Sequence, residues 1–407
     1  MNLTNLRKKN IGIVGHWTHA FGVGSATREM SRKTEGELFN VTKYDYEYFR
    51  DLVNTTNSLD DSHVLSKEVL LISALSCIHS LRLPQFENPE MKPTYVAYWW
   101  WETEEIPEYF LKKAEFFDEI WAPTTFIYKN LANVLGDKIV LAPFLAPFND
   151  ESEGLSRTDF QLPENTPVFL VKFDFFSSID RKNPYAAIQA FRKAFKSETE
   201  AYLLIKTING EFASHLLDEL ISSVQDRSDI RVWNKNLSNA TNNDLMKCVS
   251  GYVSLHRSEG LGLNILEAMQ VKVPVIVTAY GGNMDFCDDS NSFLIPYKLI
   301  PVEDSSYIYP PIGLWAEPEI DAAAKAFTTV AQNDYTMYSR KNEAYNRVEI
   351  LKDNQDFQIF VAKRIQELKG RGIQVSKTKK FYTLGLQKLL EFFKNIVIKS
   401  RGYLKIK

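Results

Sequence analysis

Two glutamates eight positions apart, Glu259 and Glu267, are the residues of this 407-residue chain that point most directly to chemistry. They sit in His256-Arg257-Ser258-Glu259-Gly260-Leu261-Gly262-Leu263-Asn264-Ile265-Leu266-Glu267. The stretch follows a short apolar run, Gly251 to Leu255, that reads as a buried strand. It runs into Ile265 to Met269, which reads as a helix. A strand, a glycine-bearing loop and a helix start form the layout that holds a phosphate on backbone amides. With Gly262 near the helix start, Glu267 lies about one turn in, roughly 5–8 Å along the axis at ~1.5 Å per residue. A diphosphate docked on those amides would have a carboxylate on each side, one for sugar hydroxyls and one for ribose hydroxyls. That arrangement suits a nucleotide-sugar. Read blandly, both are acids placed near a helix start by its dipole.

Arg181 and Lys182 are adjacent cations just after a strand-end loop. Fixed positive groups there would stabilise the charge that a departing nucleoside diphosphate gains; otherwise they are a solvated surface pair. Gly281, Gly282 and Asn283 form another strand-end loop, placed to contact the sugar of a donor or simply to turn the chain. Gly22 and Gly24 would admit close backbone approach to a ligand. They do not complete a Gly-x-Gly-x-x-Gly, because position 27 is Thr27, and no acid follows at a clear strand end. That departure argues against a dinucleotide dehydrogenase. Tyr98-Trp99-Trp100-Trp101-Glu102 offers three tryptophans that either pack a core or stack on sugar faces. His16 and His19, after the first strand, read as loop residues, and His256 as a packed loop histidine or a sugar contact. No Asp-x-Asp occurs, so no metal is expected and no cofactor beyond the donor itself.

The elements that would position these residues repeat one pattern. Apolar runs at Ile11–Gly15, Phe39–Tyr44, Val69–Ile72, Thr94–Tyr98, Glu119–Ala122 and Ile139–Leu141 alternate with amphipathic stretches such as Ser25–Lys33 and Phe110–Phe117. The alternation resumes with strands at Val168–Phe173, Ala201–Lys206, Ile230–Trp233, Tyr252–Leu255 and Val275–Thr278, and a helix over Pro184–Phe195. Such alternation predicts an α/β protein of parallel strands with crossover helices. In open parallel sheets ligands bind outside the carboxyl ends of the strands. Two such sheets facing one another would make a cleft.

The chain is too long for one ordinary core. Its 44% hydrophobic and 13% aromatic content fits globular domains. Residues 1–150 read as an N-terminal Rossmann-like, acceptor-side domain, and 151–166, poor in periodicity, as a linker. Residues 167–335 read as a second Rossmann-like domain, 336–370 as helices, and 371–407 as a basic amphipathic tail. The longest apolar run, from Val69 to Ile78, is too short to span a bilayer, and the N-terminus does not read as a signal peptide. Three scattered cysteines, Cys77, Cys248 and Cys287, fit a reducing cytoplasm. The net charge of −3 hides an asymmetry: from Ser376 onward nine Lys or Arg face one acid, Glu391. Aromatics opposite lysines in that tail suit an anionic lipid surface, or else a solvated helix face. Nucleic acid is not an expected partner, since the body is acidic and no reader motif appears.

The Glu259-x7-Glu267 block resembles the E-x7-E signature of retaining glycosyltransferases of the GT-B fold, in the family 4 (group 1) set. The resemblance extends to Val273–Asn283, Gly313–Pro318 (a segment seen in members from polysaccharide gene clusters), Ser177–Pro184, Ile11–Ser25, Tyr98–Glu102 and Glu119–Pro123. It implies two Rossmann-like domains facing across a cleft, with 167–335 the donor domain and 336–370 helices that return to the N-terminal domain. It implies that Glu259 contacts the donor sugar, Glu267 the ribose, and amides around Gly260, Gly262, Leu263 and Asn264 the diphosphate. Trp233 and Asn234 end the strand where relatives recognise the base. Glu102 stands where relatives orient or deprotonate the acceptor, with His16 and His19 as the alternatives for that role. Relatives often carry a Gly-Arg pair where this chain reads Val171-Lys172-Phe173-Asp174, with Lys206 a weak substitute for the missing arginine. The activity implied is transfer of a hexose, mannose or glucose, from a nucleotide-sugar (GDP-mannose or UDP-glucose) to a saccharide or lipid-linked oligosaccharide. The place implied is the cytoplasm or the inner face of its membrane. A nucleotide-sugar 2-epimerase and a non-catalytic saccharide-binding module are the alternatives.

Overall fold

The computed structural model describes residues 8–15, 17, 22–45, 69–72, 94–115, 117–143, 145, 150–333, 335–352 and 356–370. His16, His19, Cys77 and the tail from 371 lie outside them. The first half builds β1 (Lys9–Gly15), α1 (Gly22–Thr34), β2 (Phe39–Asp45), β3 (Val69–Ile72), β4 (Thr94–Tyr98), α2 (Glu108–Ala114), β5 (Glu119–Ala122), α3 (Thr125–Leu135) and β6 (Ile139–Leu141). Its strands form one parallel sheet in the order β2-β1-β3-β4-β5-β6. Four of these six have the bounds expected from sequence, and two of them, β4 and β5, are buried along nearly their whole length, as strands covered on both faces are.

The second half builds β7 (Val168–Asp174), α4 (Ile179–Lys182), α5 (Pro184–Ala194), β8 (Tyr202–Ile208), α6 (Ser214–Ser222), β9 (Ile230–Asn234), α7 (Asn239–Lys247), β10 (Gly251–Ser254), α8 (Leu263–Gln270), β11 (Val275–Thr278) and β12 (Phe293–Ile295). Its parallel sheet runs β12-β11-β10-β7-β8-β9. From β7 the chain winds outward to β9, then returns to the other side of β7 through β10. The crevice at that reversal, outside the carboxyl ends of β7 and β10, is where an open sheet takes its ligand.

An antiparallel hairpin, β13 (Tyr297–Pro301) and β14 (Leu314–Pro318), follows β12 and was not visible in the periodicity. Then come α9 (Ile320–Gln332), α10 (Tyr335–Lys352) and α11 (Asp356–Gly370). Helix α9 closes the second core: Phe327 meets Phe169 at 4.7 Å and Phe191 at 5.8 Å between ring centroids. The Asn183 side chain caps α5, accepting from the Ala186 amide, and Pro184 opens that helix. Pro at the first helical position costs no hydrogen bond, since its amide would be unpaired there anyway.

The segment ahead of β7 is pinned rather than loose. The Asp244 carboxylate on α7 accepts from Ser152 and from the Glu153 and Leu155 amides. Arg157 donates to the carbonyls of Pro163, Glu164, Thr166 and Cys248. Helix α11 packs against the first sheet, where the rings of Phe357 and Phe360 meet Trp121. Arg364 forks onto Glu119 of β5 at 2.6 and 2.7 Å. No helix of the described residues is long and apolar enough to cross a membrane.

The Glu119 side chain is 1% exposed. Removing its cation leaves a buried carboxylate uncompensated, which typically costs about 3–5 kcal/mol. Arg364→Leu is therefore expected to lower the urea midpoint strongly. A second change, Glu119→Leu, should recover most of the loss, because it removes the stranded charge. A double variant no better than Arg364→Leu would show that the pair acts otherwise.

Candidate active site

Strand β10 is buried along its length and delivers the chain to the loop 255–262. Gly262 ends that loop at φ 93°, a left-handed conformation that favours glycine. It caps α8 with backbone alone: no side chain covers the first amides of the helix. Glu259 lies in the loop and Glu267 one turn into α8. Behind the loop runs Gly281-Gly282. The Gly282 amide donates to the Glu259 carbonyl at 2.7 Å. A Cβ on Gly282 would lie 1.9 Å from the Gly260 carbonyl oxygen. These glycines and the buried Asn283 back the loop. Asn283 Nδ2 donates to the Thr278 carbonyl at 3.1 Å.

The first domain closes on the same loop. The Ser258 hydroxyl donates to the Glu102 carbonyl, and the Thr124 hydroxyl to the Gly260 carbonyl at 3.0 Å. The Thr125 amide donates to Asp285 at 2.7 Å, and the Tyr280 hydroxyl to Glu104 at 2.8 Å. The hairpin adds Tyr309, whose hydroxyl donates to Glu102 Oε2 at 2.8 Å and whose ring faces the Arg181 guanidinium at 5.6 Å.

Arg181 is 3% exposed. It donates to the carbonyls of Ser177 (3.1 Å) and Ser258 (2.9 Å) and to Glu259 (3.4 Å). Lys182 pairs with the other Glu259 oxygen. Burial alone would push the Glu259 carboxyl up, but Lys182 and Arg181 override it and pull it down to about 2. Lys172, on β7, pairs with Glu267 at 2.8 Å. Both glutamates thus already hold the kind of partner that a phosphate would seek.

One cavity of about 720 Å³ opens over these groups. Of the residues singled out from sequence, Glu259, Glu267, Arg181, Lys182, Glu102, Gly260, Gly262, Leu263 and Asn264 line it. Gly24, Gly281, Gly282, Asn283, Trp233, Asn234 and His256 do not. Gly22 and Gly24 fall in the first turn of α1, whose next turns supply Ser25, Arg28 and Arg32 to the wall. Asn234 is turned to its own sheet, accepting from Thr207 Oγ1 and the Gly210 amide. Trp233 packs beside Lys235 and Arg231. The neighbouring amide-rich stretch, with Asn236, Asn239, Asn242 and Asn243, lines the cavity instead. His256 is fully buried, held by Ser254 Oγ and the Tyr280 carbonyl at 2.9 Å each. Burial lowers its pKa, so it serves as a neutral pin. The tryptophans divide: Trp99 is core, against Phe110, while Trp100 and Trp101 form wall. Sequence reasoning missed Tyr309, which only the hairpin brings to the site.

The Glu259 carboxyl sits below its ordinary 4.5 in the folded protein. Its contribution is therefore complete above about pH 4.5 and is lost as pH falls toward 2. Glu259→Gln should be less stable than the parent at neutral pH, with the gap narrowing between about pH 5 and pH 3 in urea melts. A gap independent of pH would contradict the pairing.

Residues 177–300 match the family model described as glycosyl transferases, group 1. No curated protein matches the sequence. Among solved structures, sucrose-phosphate synthase from Thermosynechococcus elongatus aligns with a TM-score of 0.64 at 12% identity, over 89% of this chain and 100% of that one. HepE from Anabaena, in complex with UDP and glucose, aligns with 0.60 at 12% identity, over 88% and 100%. Against TarM from S. aureus the score is 0.49 at 12% identity, over 74% of this chain, which spans 55% of that protein's length. The matched segment runs from the Arg181–Lys182 loop through both cavity glutamates to β13. Residues 177–300 thus match the group 1 glycosyl transferases, and the chain shares the GT-B fold of these structures.

Proposed function

We propose that the protein is a family 4, retaining hexosyltransferase. It moves a hexose from a nucleotide-sugar to a saccharide hydroxyl in surface polysaccharide or glycan synthesis. One observation carries the reading. Glu259 and Glu267 flank the uncapped start of α8, on one cavity wall, with Arg181, Lys182, Lys172 and Lys206 beneath them. A nucleoside diphosphate is the ligand that uses both sets: hydroxyls for the carboxylates, phosphate oxygens for the amides and cations.

In this scheme the diphosphate displaces Glu259 from Lys182 and Arg181, freeing the carboxylate for the sugar. The bond from the anomeric carbon to the diphosphate oxygen breaks, and the acceptor oxygen bonds to that carbon on the same face. The acceptor proton passes to the departing phosphate. Arg181 and Lys182 stabilise the charge gathering there. Glu102, held by Tyr309 beside Arg181 and the loop of Glu259, orients the acceptor hydroxyl. The cation set supplies the electrostatic work of a divalent ion, so the reaction is expected to run without one. The acceptor is a growing saccharide, most simply one on a lipid carrier at the cytoplasmic face of a membrane. The basic tail from 371, outside the described residues, is the segment proposed to meet that surface.

The test is a panel of GDP-, UDP-, ADP- and dTDP-sugars offered without acceptor or metal, with GDP-mannose first and UDP-glucose next. Thermal shift and release of nucleoside diphosphate are followed, with Glu267→Ala beside the parent. One donor should stabilise the protein and hydrolyse slowly, with both effects lost in Glu267→Ala. Once an acceptor is found, Lys182→Met should lower kcat by about 10²-fold or more, the scale for one lost transition-state contact. Silence with every donor would sink the reading. Epimerised sugar without acceptor would replace it with the 2-epimerase.

A further inference from the structure

Strands β7 and β8 place Lys172 directly opposite Lys206 in register, on the same face of the sheet. Like charges facing across strands are destabilising. Lys172 is offset by Glu267 at 2.8 Å. Lys206 is 5% exposed, lines the cavity, and has no carboxylate at ion-pair distance and no side-chain hydrogen bond among the described residues. A buried ammonium without a partner is costly. Burial, with Lys172 beside it, lowers its pKa to about 8. The nearest negative charges, Glu267 and Asp174, act on it only at longer range. Every other cation of the cavity floor is engaged: Lys172 by Glu267, Lys182 by Glu259, Arg181 by Glu259 and two carbonyls.

The cations therefore form two seats. One is the loop seat, Arg181 and Lys182, beside the sugar-side glutamate Glu259. The other is the sheet seat, Lys206 and Lys172, beside Glu267. We propose that Lys206 binds the phosphate esterified to the nucleoside, while Arg181 and Lys182 bind the phosphate that carries the sugar. This rests on the reading above, in which Glu267 holds the ribose: the anion nearest a ribose in a nucleotide-sugar is its own 5′-phosphate. The ligand class of the sheet seat is thus a nucleoside 5′-phosphate, and the seat recognises it whether or not a second phosphate follows.

Full-length protein is titrated with the nucleoside, its 5′-monophosphate and its 5′-diphosphate, using the base selected by the donor panel. The parent should bind monophosphate more tightly than nucleoside, and diphosphate more tightly still. In Lys206→Met the first increment should shrink about tenfold or more, the worth of one charge-assisted hydrogen bond, while the second survives. In Lys182→Met the pattern should invert. Lys206→Arg should restore part of the first increment. Lys206→Met should also melt no lower than the parent, since it removes an unpartnered charge; a purely structural lysine would lower the melting point. Should Lys206→Met not fold, Lys206→Gln carries the same expectation. A Lys206 variant that keeps the parent's monophosphate increment, or loses both increments equally, overturns the assignment and leaves the transferase reading standing. A parent that binds none of the three nucleotides overturns both.

Discussion

A buried guanidinium needs acceptors, and Arg181 finds them on two separate stretches of chain, with a third stretch at ion-pair distance. The carbonyl of Ser177 precedes it after β7, while Ser258 and Glu259 follow β10. Tyr309, from the hairpin, lies across its face and holds Glu102 of the first domain within 4.0 Å of its Nη2. Parallel strands β7 and β10 touch at only two residue pairs, so the sheet alone does little to order the loops beyond them. The guanidinium supplies what the ladder lacks. Breaking it would strand a charge in a dry place and release three walls of the cavity together. A charge buried this deeply is costly unless it is paired and hydrogen-bonded, and Arg181 has two carbonyls and the Glu259 carboxylate in hydrogen-bond reach, with Glu102 close by.

The hairpin shows how an insertion becomes part of a site. Its loop is tied to the second domain at both ends. Asp304 accepts from Ser178, the Ser305 hydroxyl donates to Asp180, and Arg257 bonds Glu317 at 2.5 Å beneath Trp315. Between these ties the chain presents Tyr309 inward and leaves Tyr307 92% exposed. Wall and rim are made by one short stretch, so changes at the rim need not disturb the charges beneath.

Much of this was legible because it is local. Parallel strands buried on both faces announce themselves as apolar runs, and the spacing of Glu259 and Glu267 around a glycine-capped helix start is carried by consecutive residues. What escaped was made by residues distant in sequence. Lys172 and Lys206 become neighbours only through the register of β7 and β8, and nothing in either strand's own pattern marks a lysine as floor rather than fringe. Arg364 and Glu119 meet across 245 positions. Gly281 and Gly282 carried a correct signal, a backbone held closer than a side chain permits, and what they approach is the backbone of Glu259 and Gly260. Asn234 and Trp233 fall just short of the wall, where β9 ends one residue before the chain bends into the asparagine-rich stretch.

The closeness of Gly282 to the Gly260 carbonyl has a consequence for how such a protein can change over evolutionary time. Every side chain but hydrogen is excluded at 282, and the left-handed turns at Gly262 and Gly281 are nearly as exacting. The backbone that presents the two carboxylates is therefore closed to gradual drift. The asparagine-rich stretch from Asn236 to Asn243 and the tip of the hairpin are under no such restraint. Substitution over a lineage is freer at those margins than at the glycine-locked centre.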